Sequence, residues 1–116
     1  MNSETKSFRR IVKARARELK HEGRGYLEVV HLVVDELLDG ARGKLTPIFT
    51  MGVMSPVEIL AIVKVIATLL GVAADAWKAW VTGREKQQVE RERLEQKVAP
   101  LISEVFEETE VHGSAT

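Results

Sequence analysis

The sequence predicts an all-α fold: a small bundle of about four helices around a long, mostly buried central helix at residues 56–82. Apolar residues recur at helical spacing along most of the chain, and residues 56–82 combine a high apolar content with complete helix-start signals. At 116 residues, 45% of them hydrophobic and 29% charged, the composition suits one globular domain. We expect that domain at residues 1–110, followed by a loose tail at 111–116.

Two helices are predicted before the central one. The first, at residues 5–22, ends at Gly23 and Gly25, because glycine is common just after helices. The second, at residues 26–39, contains paired valines that favour strands, but its apolar residues recur at helical spacing and Gly40 fits a helix C-terminus. The expected buried faces are Phe8, Ile11, Val12 and Leu19 in the first helix, and Leu27, Val30, Val34 and Leu37 in the second.

The connection at residues 41–54 is unusually apolar. Thr46 and Pro47 fit the start of a single helical turn that Gly52 would close. The large apolar residues of this connection are Ile48, Phe49, Met51 and Met54. We expect them to pack down as a plug, and the alternative is an exposed contact surface.

The central segment begins with a capping box, in which Ser55 is the N-cap, Pro56 the first helical residue and Glu58 the third. A stripe covering about 80° of its circumference is polar or small, and consists of Lys64, Thr68, Gly71, Asp75, Lys78 and Thr82. Charged residues at the centre of a bilayer cost about 2.5–3.5 kcal/mol each, so we expect no transmembrane segment. Trp77 and Trp80 lie nearly opposite the stripe, where either a second copy of the chain or its own helices would cover them.

The sequence of the C-terminal third predicts one further packed helix. Residues 84–97 include nine charged residues in fourteen, which is typical of a solvated helix, and Pro100 should kink or restart it. An apolar face nevertheless continues across the proline and consists of Leu94, Val98, Leu101, Ile102, Val105 and Phe106.

Charge is segregated along the chain. Residues 1–24 hold eight Lys/Arg and three Glu, whereas residues 84–116 hold five Lys/Arg and eight Glu. Seven cations lie within about 100° of the first helix, namely Lys6, Arg9, Arg10, Lys13, Arg17, Lys20 and Arg24. Such a face attracts nucleic-acid phosphates, an anionic membrane or an acidic protein. The alternative is pairing inside the chain, with the acidic C-terminal helix lying antiparallel and offering Glu104, Glu107, Glu108 and Glu110.

The candidate metal ligands are two Glu-x-x-His pairs, Glu18 with His21 and Glu28 with His31. At this spacing a carboxylate and an imidazole share a helix face, as in di-iron bundles. The second pair, however, lies on a stripe with other acidic residues, which is typical of a solvated surface, so we predict no metal and no cofactor. The chain also lacks cysteine and the glycine-rich or serine motifs of common enzymes, and we expect no enzymatic activity.

These features predict a non-enzymatic interaction protein, such as a regulator, adaptor or small inhibitor, that occupies the surface of another protein. The alternatives are a small nucleic-acid-associated regulator that uses the first helix and, third, peripheral membrane association. A homodimer is as well supported as a monomer. The N-terminus lacks the apolar stretch of a secretory signal, which favours a cytoplasmic location. The expected contact residues are Arg9, Arg10, Lys13, Arg17, Lys20, Phe49, Met51, Trp77 and Trp80.

Overall fold

A computed structural model describes residues 2–50, 55–83 and 87–115, and all regular secondary structure in those ranges is helical. The all-α prediction is therefore confirmed. The α-helices are α1 (Ser3–His21), α2 (Tyr26–Ala41), α3 (Pro47–Thr50), α4 (Pro56–Leu70), α5 (Trp77–Thr82) and α6 (Gln87–Ala115), and a 3-10 turn (Ala74–Ala76) precedes α5.

Helices α1 and α2 confirm the first two predicted helices. The side chain of Asn2 accepts a hydrogen bond from the backbone N–H of Thr5 (2.8 Å) and so caps α1. The predicted buried face of α1 is buried, but in α2 the prediction for Leu27 is wrong, since this side chain is 70% exposed. Leu27 lies in the first turn of α2, where the neighbouring Tyr26 instead faces α6 and donates a hydrogen bond to the carbonyl of Ala99 (3.3 Å).

Helix α3 fills the position expected of the plug. Ile48 is fully buried and Phe49 is 8% exposed, so both pack inward. Thr46 does not cap the turn through its side chain, because its hydroxyl donates to the carbonyl of Glu36 in α2 (2.9 Å). Met51, Gly52 and Met54 lie outside the described residues.

The prediction of one continuous helix at residues 56–82 is wrong. Ser55 caps the start as expected, accepting from the N–H of Glu58 (3.2 Å), but α4 ends at Leu70. Gly71 adopts a left-handed conformation (φ 71°), and the N–H of Val72 donates to the carbonyl of Ala67 (2.9 Å). This is a Schellman motif, which turns the chain out of the helix. The polar stripe of the sequence is therefore divided between two helices that Gly71 separates.

Helix α4 is also not the buried centre of the fold. Its buried residues are Ile62, Ile66 and Leu70, whereas Val57 is 77% exposed and Leu60 is 61% exposed. Among the described helices, α4 packs against α1, α2 and α6. In the described part of the chain, no helix is both long and apolar enough to cross a membrane.

Helix α6 continues through Pro100 without restarting, and it includes residues 111–115, where we expected a tail. Its predicted apolar face is buried from Leu94 to Val105, and Phe106 is partly buried. It runs antiparallel to α2, with the contacts Tyr26–Ala99, His31–Glu95 and Asp35–Arg91. It runs parallel to α1, since Lys13 contacts Glu104 and Arg17 contacts Glu108. The antiparallel arrangement of the two ends of the chain, which was the alternative offered for the basic face, is therefore wrong in its direction.

Candidate functional site

The basic face of α1 lies against α6. The Nζ atom of Lys13 lies 2.7 Å from the carboxylate of Glu104, and Arg9 approaches the same carboxylate at 3.8 Å. Arg17 donates two hydrogen bonds to Glu108, at 2.9 and 3.1 Å. These contacts show charge pairing inside the chain, which was the predicted alternative to phosphate binding by the basic face.

Three further cations of this face also have acceptors within the chain. Lys20 donates to the carbonyl of Phe106 (3.0 Å), and its ammonium lies 4.4 Å from the centre of that ring. Arg10 pairs with Glu58 of α4, and Arg24 pairs with Glu22 and Glu28. All five cations that we predicted as partner contacts (Arg9, Arg10, Lys13, Arg17 and Lys20) thus already face an acceptor of their own chain.

These pairs perturb the ionisation of their members. The hydrogen bond and charge of Lys13, with a smaller contribution from Arg9, lower the pKa of Glu104. The hydrogen bond from Arg17 to Glu108 raises the pKa of that guanidinium. Both shifts favour the charged forms of the side chains, so ion pairs join the two helices. A phosphate group would have to compete with carboxylates that are already in place.

The two Glu-x-x-His pairs are not combined into a metal site. Glu18 accepts a hydrogen bond from Arg15 (2.8 Å), and Glu28 lies 3.3 Å from Arg24. The Nδ1 atom of His31 lies 3.7 Å from Glu95, while His21 is exposed at the end of α1. Within residues 2–50, 55–83 and 87–115, no group of three or more His, Asp or Glu is arranged to hold a metal ion.

The two tryptophans occupy different environments although their rings stack (4.7 Å between centroids, 23° between planes). Trp80 is covered by the guanidinium of Arg42, which lies 4.2 Å from the centre of the ring and 3.4 Å from the buried carboxylate of Glu90. Trp80 therefore contacts the residue that follows α2, and Arg42 in turn links it to Glu90 of α6. Trp77 instead lines an open groove.

That groove, of about 530 Å³, lies between α4 and the segment that follows Gly71. Its apolar lining consists of Leu60, Val63, Ala67, Val72 and Trp77, and its polar lining consists of Glu4, Lys64 and Thr68. We call it the α4–α5 groove. Val57, one helical turn before Leu60, extends the exposed apolar surface of α4.

This groove was not predicted, because Leu60 and Val63 were expected to lie inside a buried helix. The signal available was Gly71, which fits a left-handed helix cap as well as a helix interior. Of the predicted contact residues, Trp77 lies in the groove, while Phe49 is buried beneath α2 and Met51 lies outside the described residues.

Comparisons with protein-family models, with curated proteins and with solved structures found no match to this chain. The groove therefore has to be interpreted from its own chemistry. Glu4 and Lys64 are the ionisable residues among those that line it, and they border an apolar floor. An apolar floor bordered by a few polar groups is suited to binding by apolar contact.

Proposed function

We propose that this protein is a non-enzymatic interaction module, such as a regulator, adaptor or small inhibitor, that occupies the surface of another protein through the α4–α5 groove. The observation that carries the proposal is the exposure of Leu60 (61%) and Val57 (77%) beside the groove. Complete burial of a leucine or valine side chain is favourable by about 1.5–3 kcal/mol, so leaving this surface exposed to water is unfavourable. Contiguous exposed apolar surface with a polar rim is characteristic of interaction sites.

The charge pairing supports a protein partner over a nucleic acid. The cations that would contact phosphates are engaged by Glu104, Glu108 and Glu58. Non-specific nucleic-acid binding depends on cations that are available to replace counterions. A nucleic-acid role for α1 remains the alternative, and it requires that the phosphate displace those carboxylates.

A pair of matched substitutions tests the proposed function. Leu60→Glu places a charge beside the groove, while Leu27→Glu places the same charge on α2, where Leu27 is 70% exposed. We expect the wild-type chain and Leu27→Glu to capture the same protein from cells of the source organism, as identified by quantitative mass spectrometry. Leu60→Glu should lose it. Equal capture by all three chains would contradict a role for the groove.

Electrophoretic mobility with a generic DNA duplex tests the nucleic-acid alternative. That alternative predicts a shift at about 50 mM salt that disappears by about 200 mM, because phosphate contacts weaken steeply with salt. Our proposal predicts no shift at either concentration. Binding to anionic vesicles, measured by sedimentation, tests peripheral membrane association in the same way.

A further inference from the structure

We propose that the occupant of the α4–α5 groove is the same groove of a second copy of this chain, in a two-fold symmetric homodimer. This inference rests on one part of the proposed function, namely that the groove is a protein-binding surface, and it names a second copy of the chain, in place of a different protein, as the occupant. It follows from the shape of the apolar surface, from two unpaired charges beside it and from the net charge of the chain.

The apolar surface has both a projecting part and a concave part. Leu60 and Val57 project from α4, with 61% and 77% of their surface exposed. Leu60 also borders the concavity that continues to Trp77. In an isologous interface the same patch serves both copies, so a ridge beside a groove can insert into the partner's groove while receiving the partner's ridge.

Two charged side chains beside the groove have opposite signs. Glu4 of α1 and Lys64 of α4 both line it, and neither side chain makes an ion pair or hydrogen bond in the described structure. This contrasts with the basic face of α1, where Lys13 and Arg17 are paired with carboxylates. Glu4 and Lys64 are thus the charges that the fold leaves available at this surface.

Two-fold symmetry would use both of these charges. When residue i of one copy contacts residue j of the other, residue j of the first contacts residue i of the second. Glu4 of each copy would then face Lys64 of the other, which forms two reciprocal pairs at the edge of an apolar contact. An anionic membrane would attract Lys64 but repel Glu4, so the mixed charge favours a second copy over a lipid surface.

The net charge of the chain also permits self-association. The sequence contains 17 Lys/Arg and 17 Asp/Glu, which gives a formal net charge of zero at pH 7. Two copies therefore meet without the overall repulsion that keeps highly charged proteins apart.

Size-exclusion chromatography with light scattering, over a range of protein concentrations, tests this inference. The wild-type protein should show twice the 13.0 kDa mass of the chain. Leu60→Glu should weaken dimerisation by at least about tenfold, as expected for a central apolar contact, and Leu27→Glu should leave it unchanged. A wild-type protein that stays monomeric, or a Leu60→Glu variant that stays dimeric, would overturn the inference.

A charge exchange tests the reciprocal pairing. Glu4→Lys and Lys64→Glu should each weaken the dimer, because each places like charges opposite one another, and the double variant should restore it. A double variant no stronger than the single variants would overturn this arrangement. Thermal melts of each variant establish that it is folded. If the wild-type protein is monomeric but still captures another protein in a Leu60-dependent manner, the inference fails and the proposed function stands.

Discussion

The ammonium group of Lys13 lies 2.7 Å from the carboxylate of Glu104, and this contact joins the basic face of α1 to the acidic part of α6. Arg9 approaches the same carboxylate, and Arg17 pairs with Glu108 one helical turn further along. The two helices run parallel, so residues of increasing number on α1 meet residues of increasing number on α6. Much of the charge that is segregated along the sequence is therefore paired within the fold.

The Glu104 contact predicts a specific dependence of stability on pH. Lys13 lowers the pKa of Glu104 below its ordinary value of 4.5. The carboxylate therefore stabilises the folded state above that pH, and this contribution is lost as the pH falls through the lowered pKa. Wild-type protein should melt at a higher temperature than Glu104→Gln at about pH 7, and the difference should shrink by about pH 3. A difference that is constant with pH would contradict this assignment.

The buried pair between Arg15 and Glu36 predicts a larger effect. The guanidinium donates two hydrogen bonds to the carboxylate, at 2.9 and 3.0 Å, and the two side chains are only 11% and 10% exposed. Removing Glu36 leaves the largely buried guanidinium of Arg15 with the exposed Glu18 as its remaining carboxylate partner. We expect Glu36→Ala to lower the free energy of unfolding in urea by about 3–5 kcal/mol.

Glu18 provides the matched control, because it also accepts a hydrogen bond from Arg15 but is 50% exposed. Glu18→Ala should change the free energy of unfolding by less than about 1 kcal/mol. Similar losses for the two substitutions would show that burial does not set the strength of these pairs.

A third prediction concerns Gly40, which lies within α2 beneath the ring of Phe49. Alanine is normally favoured over glycine in a helix by about 1 kcal/mol. Here, however, a Cβ atom at residue 40 would overlap the Phe49 ring and approach Thr46. Gly40→Ala should therefore destabilise the protein by about 1–3 kcal/mol, as measured by urea unfolding.

The clash can be distinguished from other effects by combining substitutions. Gly25 has open space around its would-be Cβ atom, so Gly25→Ala should cost less than about 1 kcal/mol. Phe49→Leu should also cost less in the Gly40→Ala background than in the wild-type chain, because the smaller side chain relieves the overlap. A Gly40→Ala variant more stable than wild type would contradict the close packing of these residues.

Local sequence patterns were sufficient to predict several parts of the fold. The periodicity of α1, α2 and α6 and the Ser55 cap depend on residues that are close in sequence, and the structure confirms them. Gly71 could not be assigned in the same way. An interior glycine and a left-handed cap leave the same local pattern, and the choice between them depends on how α4 packs.

Long-range relationships were harder to predict for a related reason. The charge pattern indicated that α1 and α6 could pair, but charges alone do not define a direction, and the parallel arrangement follows from helix order and connection. Leu27 fitted the apolar period of α2, yet α6 lies against the neighbouring Tyr26, so which side of the first turn is buried depends on the position of another helix. Predicting the α4–α5 groove would have required two facts: that Gly71 ends α4, and that one face of α4 is exposed.

Lysine footprinting tests most directly whether the α4–α5 groove, and not the basic face of α1, is the binding surface. Acetylation rates would be measured for the chain alone and with the protein it captures, or below and above the concentration of self-association. We predict that Lys64 beside the groove becomes protected on binding, while Lys6 on the basic face keeps its reactivity. Protection of Lys6 and Lys13 with an unchanged Lys64 would contradict this account.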